Sequence, residues 1–284
     1  MSLQLPFAID LTGKTAVVTG AGGVLCSLFA RAIAQCGAKV ALLDLNEAAA
    51  AKVAAEIVAD GFTAKGYACD VLNKDSLESC RAQVIADFGS CDILLNGAGG
   101  NNPKATTDSE YYLPGDLEKE VKTFFDLDSD GISFVFNLNF LGTLLPTQVF
   151  ARDMVTKDSA VIVNISSMNS YTPLTKIPAY SGAKAAISNF TQWLAVHFSR
   201  TNIRVNAIAP GFFVTTQNRS LLFDEQGTPT PRTEKILAAT PMQRFGEAEE
   251  LVGTVLWLLS DAASGFITGV VVPVDGGFSA YSGV

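Results

Sequence analysis

Seven short apolar runs alternate with longer helical patterns along this 284-residue chain, and the alternation restricts the folds open to it. The runs are continuously apolar rather than apolar at every second residue, which is typical of strands covered on both faces. Repeated β-α units of this kind predict an α/β fold with a parallel, doubly wound sheet. The predicted strands cover residues 15–18, 39–43, 63–68, 93–95, 160–165, 204–208 and 270–273.

The stretches between these runs contain no repeat, low-complexity tract or Pro/Gly/Ser-rich linker that would mark a domain boundary. We therefore expect residues 1–284 to form one Rossmann-like domain, with helices on both faces of about seven strands. Two long segments, 100–131 and 212–240, follow predicted strands, where an open α/β sheet binds its ligands. Both are predicted to form walls of a substrate pocket. The predicted helices cover residues 25–36, 47–59, 75–88, 135–153, 179–200 and 248–259.

Charge and cysteine content argue against several classes of protein. With 28 acidic and 20 basic side chains the net charge is −8, which disfavours nonspecific binding to nucleic acid or to an anionic membrane. Five scattered cysteines, with no CxxC pair and no clustered histidines, indicate neither a metal site nor a disulfide framework. No apolar run approaches the roughly 18 residues that cross a bilayer, and residues 1–10 lack a signal-peptide pattern. We expect a soluble, cytoplasmic protein.

A glycine-rich turn follows the first predicted strand and opens a helix at Val24 or Leu25. Gly20, Gly22 and Gly23 let the backbone approach a pyrophosphate, and the helix N-terminus supplies amide donors and a favourable dipole. A glycine cluster by itself also fits an ordinary tight turn between a strand and a helix. The turn therefore indicates cofactor binding only together with the carboxylates and turns that follow.

Asp44 ends the second predicted strand, where a carboxylate can hydrogen-bond the adenosine ribose hydroxyls of a dinucleotide. No Arg or Lys occupies position 45 or 46 to receive a 2′-phosphate, so NAD is favoured over NADP. The alternative interpretation of Asp44 is a simple helix N-terminal residue. The later turns continue the pattern, and together they predict dinucleotide binding by Asp70 and Val71 after the third strand and by Asn96, Gly97 and Ala98 after the fourth.

Tyr180 and Lys184 lie four residues apart on one face of a predicted helix, and Ser167 lies thirteen residues before Tyr180. Oxidising an alcohol by hydride transfer requires a base, and the reverse reaction requires an acid. A lysine ammonium one turn away, together with a positive nicotinamide ring, predicts a lowered pKa for Tyr180. Ser167 is predicted to hydrogen-bond the substrate oxygen, with Ser166 as the less well-spaced alternative. The only histidine, His197, is interpreted as structural.

The whole set of motifs resembles the short-chain dehydrogenase/reductase family over nearly the entire chain. The resemblance implies that Lys184 also holds the nicotinamide ribose and that Asn139 helps to carry a water-mediated proton relay. It further implies a homotetramer in which helices near 135–153 and 179–200 pair between subunits. One departure is that Val24 and Cys26 occupy usual glycine positions, which leaves open which amides meet the pyrophosphate. The remaining cofactor residues implied by the resemblance are Pro210, Gly211, Phe213 and Thr215.

Within this family the chain resembles the D-mannonate oxidoreductase (fructuronate reductase) branch, through residues 22–26, 99–103 and 212–219. This resemblance implies reversible reduction of D-fructuronate to D-mannonate with NADH. The alternatives are gluconate 5-dehydrogenase or another polyol or keto-sugar dehydrogenase and, in a different class, a non-catalytic NAD-binding sensor or scaffold. A sugar acid requires a cation and several polar groups. The candidates, besides Ser167, are Asn101, Lys104, Asn169, Gln217 and Arg219, the last of which could also be a solvated loop charge.

Overall fold

A seven-stranded, all-parallel sheet forms the centre of the protein, in the order β3-β2-β1-β4-β5-β6-β7. The computed structural model describes residues 9–214 and 219–283, so Thr215 and Gln217 lie outside the described residues. The predicted parallel α/β sheet is confirmed, with strand ends shifted by one or two residues. The strands are β1 Thr15–Thr19, β2 Lys39–Asp44, β3 Ala64–Ala68, β4 Ile93–Asn96, β5 Ala160–Ile165, β6 Ile203–Pro210 and β7 Val271–Val274.

The continuous apolar runs are explained by burial on both faces of the sheet. Every residue of β1 and of β6 is buried. One core lies between the sheet and α1 and α9, around Phe29 and Leu258, and the other lies beneath α3, α5 and α6, around Phe150 and Leu194. The helices are α1 Val24–Gln35, α2 Glu47–Ala59, α3 Lys74–Phe88, α4 Ser129–Phe136, α5 Gly142–Met154, α6 Pro178–His197, α7 Arg219–Leu222, α8 Pro231–Ala239, α9 Glu250–Leu259 and α10 Asp261–Ser264.

Strand order reverses between β1 and β4, because the chain first builds β2 and β3 on one side of β1 and then returns to its other side. At such a switch point the connections diverge and leave a crevice at the carboxyl ends of the strands. The turns after β1, β4, β5 and β6 all open at this edge. The fold therefore brings together the segments that carry most of the predicted site residues.

The helix predicted over residues 135–153 begins earlier in the structure than the sequence pattern indicates, and a change of helical type interrupts it. Asp128 caps it by accepting a hydrogen bond from Gly131 N at 2.7 Å, so α4 begins at Ser129. A π-helical turn, Asn137–Leu141, then separates α4 from α5. A π turn adds one residue to a helical turn and leaves the apolar pattern on either side nearly unchanged. The sequence pattern therefore did not reveal it.

The two segments predicted as long loops contain helices, which corrects that prediction. Segment 100–131 holds three short 3-10 turns and the start of α4, and segment 212–240 holds α7 and α8. The start of α8 carries a recognisable signal, a Thr230 cap followed by Pro231 in the first turn. The two segments are joined by an ion pair between Lys235 Nζ and Glu110 Oε1 at 2.8 Å.

Among the described residues, one helical stretch, Ser129–Met154, is long and apolar enough to cross a membrane by length and composition alone. Half of its apolar window is buried against the rest of the protein. A core helix has the same properties, so the stretch is weak evidence for a membrane span.

Candidate active site

A cavity of about 270 Å³ lies at the carboxyl edge of the sheet, between the turns that follow β4, β5 and β6. Its walls include eight residues that the sequence assigned to a site: Leu25, Gly97, Ser167, Tyr180, Lys184, Pro210, Gly211 and Phe213. Ser166, the alternative to Ser167, also lines the cavity, and four further wall residues were missed, although each adjoins a motif that was identified: Gly99, Gly100, Ile165 and Phe212. Their signal was simply their place in the same turns.

Lys184 is buried in the wall of this cavity. Its Nζ donates a hydrogen bond to Ile165 O at 2.8 Å and lies 5.6 Å from the centre of the Tyr180 ring. Burial lowers the pKa of Lys184 to about 8, because a desolvated ammonium is disfavoured. The Lys184 side chain therefore lies close to the Tyr180 ring, and its ammonium form is less strongly favoured over the neutral amine than in an exposed lysine.

The pKa of Tyr180 is shifted in the direction opposite to the predicted one. Burial raises the pKa of Tyr180 to about 12, and a hydrogen bond with Ser167 lowers it by a smaller amount. The expected lowering of the pKa is wrong for the protein alone, because burial disfavours the phenolate more than the hydrogen bond with Ser167 favours it. At neutral pH the side chain is therefore a phenol that can donate a proton.

The two adjacent serines after β5 have different surroundings. The Ser166 hydroxyl lies 2.7 Å from Ser188 Oγ and donates to Lys184 O at 3.1 Å, so α6 already engages it. Ser167 Oγ accepts one bond from Asn169 N at 3.3 Å and also interacts with Tyr180. The geometry therefore favours Ser167 over Ser166 as the group that meets a ligand oxygen.

Asn139 is fully buried in the π turn rather than exposed in the cavity. Its Nδ2 donates to Gly100 O at 2.7 Å and to Val135 O at 2.8 Å, while its Oδ1 accepts from Gly100 N at 3.3 Å. A Cβ at Gly99 would lie 2.7 Å from Asn139 Oδ1 and 3.3 Å from Lys184 Nζ. The hydrogen bonds of Asn139 with Gly100 thus fix the turn after β4 next to Lys184.

The glycine turn after β1 shows which of its amides are free to meet an anion. Gly22 N donates to Asp44 Oδ2 at 2.9 Å, and Gly23 N donates within the turn at 3.0 Å. No side chain caps α1, whose first two residues are Val24 and Leu25. The first amides of a helix have no partner within it, so this uncapped end can receive a phosphate group.

Cys26 fills the space under the turn after β4. A Cβ at Gly97 would lie 2.1 Å from Cys26 Sγ, so only glycine fits at position 97. Burial also raises the pKa of the Cys26 thiol to about 12, which makes it unreactive at neutral pH. Gly97 N and Ala98 N donate to Thr19 Oγ1 at 3.0 and 3.3 Å and so tie the two turns together.

The other predicted cofactor residues surround the crevice. Asp70 Oδ1 accepts from Leu72 N at 2.9 Å, and Val71 is buried. The Asn96 side chain is buried under the sheet edge. There its Nδ2 donates to Asn164 Oδ1 at 2.9 Å and to Thr147 Oγ1 at 3.0 Å. Asn96 therefore supports the turn from below, and its side chain does not line the cavity.

Among the described residues, the predicted substrate residues other than Ser167 do not line this cavity: Asn101, Lys104, Asn169 and Arg219. Asn169 is buried beside Ser167, and its Oδ1 has no partner among the described residues. Asn101 Nδ2 donates to Thr106 Oγ1 at 3.2 Å. Lys104 is exposed, and so is Arg219, whose guanidinium lies 5.4 Å from the Phe223 ring centre. These side chains lie outside the cavity walls that the described residues form.

The only histidine and the possible metal ligands remain to be placed. His197, interpreted from the sequence as structural, is exposed and stacks on Trp193 with ring centres 4.7 Å apart. Within residues 9–214 and 219–283, no three His, Cys, Asp or Glu side chains form a group suited to a metal ion.

The chain is similar to known oxidoreductases over nearly its full length. A family model described as enoyl-(acyl carrier protein) reductase matches residues 25–279. An uncharacterized oxidoreductase of Haemophilus influenzae is 63% identical over 275 residues, which are 97% of this chain and 96% of the relative. The uncharacterized oxidoreductase UxuB of Bacillus subtilis is 52% identical over 281 residues, covering 99% of this chain and 100% of the relative.

A solved structure and a more distant relative carry more specific names. A Haemophilus influenzae structure with a TM-score of 0.94 and 63% identity covers 97% of this chain and 98% of its own. It is provisionally identified as a D-mannonate oxidoreductase and holds NAD. The gluconate 5-dehydrogenase of Gluconobacter oxydans is 32% identical over 274 residues, covering 96% of this chain and 98% of the relative.

Proposed function

The chain belongs to the short-chain dehydrogenase/reductase family of oxidoreductases, and from this we propose that it transfers hydride between NAD(H) and a sugar acid. The observation that carries the proposal is the convergence of Ser167, Tyr180 and Lys184 on one cavity at the carboxyl edge of the sheet. D-mannonate and D-fructuronate are the proposed substrate pair.

A dinucleotide fits the residues that surround the cavity. The uncapped amides of Val24 and Leu25 provide a pyrophosphate site, and Gly97 lies in the cavity wall between them and the catalytic side chains. Asp44 stands at the end of β2 with Leu45 exposed beside it, so the ribose end offers a carboxylate and no cation. A 2′-phosphate would be repelled there, and NAD is therefore the proposed cofactor rather than NADP.

The cofactor, when bound, supplies the hydride, and the protein supplies orientation and proton transfer. In ketone reduction the Tyr180 phenol donates its proton to the carbonyl oxygen. The Ser167 hydroxyl donates a hydrogen bond to the same oxygen and stabilises the charge that develops on it. Lys184 holds positive charge near Tyr180 and favours the phenolate that forms. General acid catalysis of this kind contributes about 10²–10⁴ to a rate.

The sugar-acid proposal rests on the similarity to the Haemophilus influenzae protein and on two polar side chains outside the cavity walls, Arg219 and Asn169. Arg219 is the proposed carboxylate ligand, since it lies just past the segment after β6 and its guanidinium is exposed. Asn169 is a proposed hydroxyl ligand because its buried Oδ1 lacks a partner among the described residues. Asn139, through its clamp on Gly100, is proposed to support the proton relay from beneath the site.

NADH oxidation against a panel of ketoses and keto-acids tests the substrate proposal. We expect D-fructuronate to give the highest kcat/KM, and little turnover with ketoses that lack a carboxylate. The second candidate is gluconate 5-dehydrogenase activity, which the similarity to the Gluconobacter oxydans enzyme favours. Good turnover of 5-keto-D-gluconate with none of D-fructuronate would establish that candidate instead. No turnover of any carbonyl compound, with NADH binding retained, would favour a sensor or scaffold.

We propose that the protein is a homotetramer in which copies meet over α5 and α6. The two helices carry an apolar groove of about 630 Å³, and Trp193 and Val196 are exposed beside it. Large exposed apolar patches are typical of subunit interfaces. The tetramer has four chains of 30.0 kDa.

A further inference from the structure

A chain of hydrogen bonds between polar side chains crosses the interior beneath the catalytic cavity. At its centre, Asn96 of β4 and Asn164 of β5 are direct neighbours in the parallel sheet, and Asn96 Nδ2 donates to Asn164 Oδ1 at 2.9 Å. Each asparagine also reaches one helix. Asn96 Nδ2 donates to Thr147 Oγ1 of α5 at 3.0 Å, and Asn164 Nδ2 donates to Thr191 Oγ1 of α6 at 2.9 Å. These four side chains are here called the polar clasp.

The polar clasp is buried in an otherwise apolar part of the core, and none of its four residues is more than 3% exposed. Leu94 and Ile162, two residues before the asparagines on the same faces of β4 and β5, belong to the apolar core beneath α5 and α6. Burying polar groups costs free energy, and apolar groups of the same shape can replace a bonded pair at little cost. The clasp therefore adds little that apolar packing could not supply, except a fixed alignment through directional hydrogen bonds.

On one side, the clasp holds the helix that carries the catalytic tyrosine and lysine. Thr191 lies seven residues after Lys184, so the two side chains share one face of α6 and are about 10.5 Å apart along its axis. Lys184 Nζ donates to Ile165 O, and Asn164, the preceding residue of β5, donates to Thr191. The end of β5 thus holds α6 at two points, two helical turns apart. Movement of α6 along its axis would strain both hydrogen bonds.

On the other side, the clasp leads to the π turn. Thr147 Oγ1 donates to Thr143 O at 2.8 Å, and Thr143 Oγ1 donates to Asn139 O at 2.9 Å. Threonine hydroxyls bonded to the carbonyl one turn earlier bend a helix, and here two of them follow each other from the clasp to the π turn. Asn139 then bonds Gly100 in the cavity wall. The clasp therefore connects α6 with the segment that fixes the turn after β4.

We propose that Thr147 and Thr191 are positioning residues for hydride transfer, which act by aligning α5 and α6 through the asparagine pair. This inference rests on the proposed function. Neither threonine lines the cavity walls that the described residues form, so neither is assigned a contact with substrate or cofactor. Misplacing reacting groups by about 1 Å can cost 10²-fold in rate. A smaller shift of one helix, after loss of one end of the clasp, is therefore expected to cost about tenfold.

The experiment removes each threonine hydroxyl while keeping the volume of the side chain. The variants are Thr147→Val and Thr191→Val, and Thr147→Ser and Thr191→Ser restore the hydroxyl. Thr15→Val is the matched control, because Thr15 is also buried and its Oγ1 donates to Phe88 O at 3.0 Å, at the opposite edge of the sheet. Circular dichroism and the midpoint of urea unfolding report the fold and stability of each variant.

Two measurements distinguish positioning from general stabilisation. In single-turnover oxidation of bound NADH by the best carbonyl substrate, we expect both valine variants to be at least about tenfold slower than the unmodified protein. The serine variants should lie within about threefold of it and the control within about twofold, although the control loses a buried hydrogen bond as well. The second measurement is the pKa of Lys184 by ¹³C NMR of its ε-carbon, assigned with Lys184→Met. From about 8 it should rise by about 0.5 or more in the valine variants alone, because a displaced α6 admits water to the ammonium.

Several results would overturn the positioning role. Valine variants with native rates and an unchanged pKa of Lys184 would do so, as would serine variants as slow as the valine variants, since the methyl group would then matter and the hydroxyl would not. A control slowed as much as the valine variants would show a general effect of lost stability. An unmodified protein that oxidises NADH with no carbonyl compound would overturn the proposed function itself, and this inference with it.

Discussion

Tyr180 and Lys184 have opposite responses to the same burial. Desolvation raises the pKa of Tyr180 to about 12 and lowers the pKa of Lys184 to about 8, so both side chains are pushed toward their neutral forms. Residue identity and spacing were enough to predict the pair. The direction of the tyrosine shift was not predictable, because it depends on how deeply the fold buries the ring.

Burial of Lys184 has a consequence for stability. A lysine with a folded pKa of about 8 costs stability while it is protonated, and the cost disappears as pH rises from 8 toward the unfolded pKa of 10.5. Each pH unit in this window is worth about 1.4 kcal/mol. The free energy of unfolding of the native protein, relative to Lys184→Met, should therefore increase by about 2 kcal/mol between pH 8 and 10.

Urea unfolding of both proteins at several pH values measures this difference. Lys52→Met, at an exposed position of α2, is the control and should track the native protein throughout. A pH-independent gap between the native protein and Lys184→Met would contradict the lowered pKa.

Asp44 and the exposed Leu45 decide the proposed preference for NAD. Replacing both, Asp44→Ser with Leu45→Arg, removes a carboxylate and adds a cation where a 2′-phosphate would lie. Losing hydrogen bonds to a charged group costs about 1.5–3 kcal/mol, so the KM for NADH should rise by roughly ten- to a hundredfold. NADPH should become the better cofactor in steady-state assays. Leu45→Ala alone should change neither KM appreciably, and a preference for NADPH in the unmodified protein would refute the assignment.

At the scale of single elements, the π turn between α4 and α5 determines where Asn139 points. Its extra residue buries the side chain against Gly100, where it clamps the turn after β4. The sequence predicted a helix here and identified Asn139 through a family resemblance. It did not predict the π turn, because one added residue barely changes the apolar periodicity of the flanking turns.

The contact among Gly99, Asn139 and Lys184 allows a sharp substitution test. Gly99→Ala places a Cβ 2.7 Å from Asn139 Oδ1 and 3.3 Å from Lys184 Nζ, so both side chains must shift. Misplacing catalytic groups by about 1 Å can cost 10²-fold in rate, so kcat should fall by about that factor while the fold is retained. Gly253→Ala is the control, since no atom outside the adjacent backbone of its own helix lies within 4 Å of its added Cβ. Full activity in Gly99→Ala would contradict the proposed arrangement.

At the scale of the whole molecule, the sequence predicted a parallel, doubly wound sheet of about seven strands, and it did not predict the structure of the outer segments. Continuous apolar strands separated by helices permit few arrangements, and right-handed crossovers with a single reversal give the observed strand order. Segments 100–131 and 212–240 lack such periodicity. Short capped turns such as those at Thr123 and Thr230 organise them instead. Their roles depend on the surfaces that they meet, which no local pattern encodes.

The central proposal is that this fold positions Tyr180 as the proton donor for NADH-dependent reduction of a carbonyl compound. Tyr180→Phe removes one hydroxyl and preserves the ring that packs in the wall of the cavity. The decisive measurement is single-turnover oxidation of bound NADH by D-fructuronate, with the dissociation constant of NADH determined on the same samples.

We expect the single-turnover rate to fall by at least about 10³-fold, near the upper range for loss of a general acid. The dissociation constant of NADH should change less than about twofold, since Tyr180→Phe removes no proposed pyrophosphate or adenosine-ribose ligand. A Tyr180→Phe protein that oxidises NADH at the native rate would contradict the proposal.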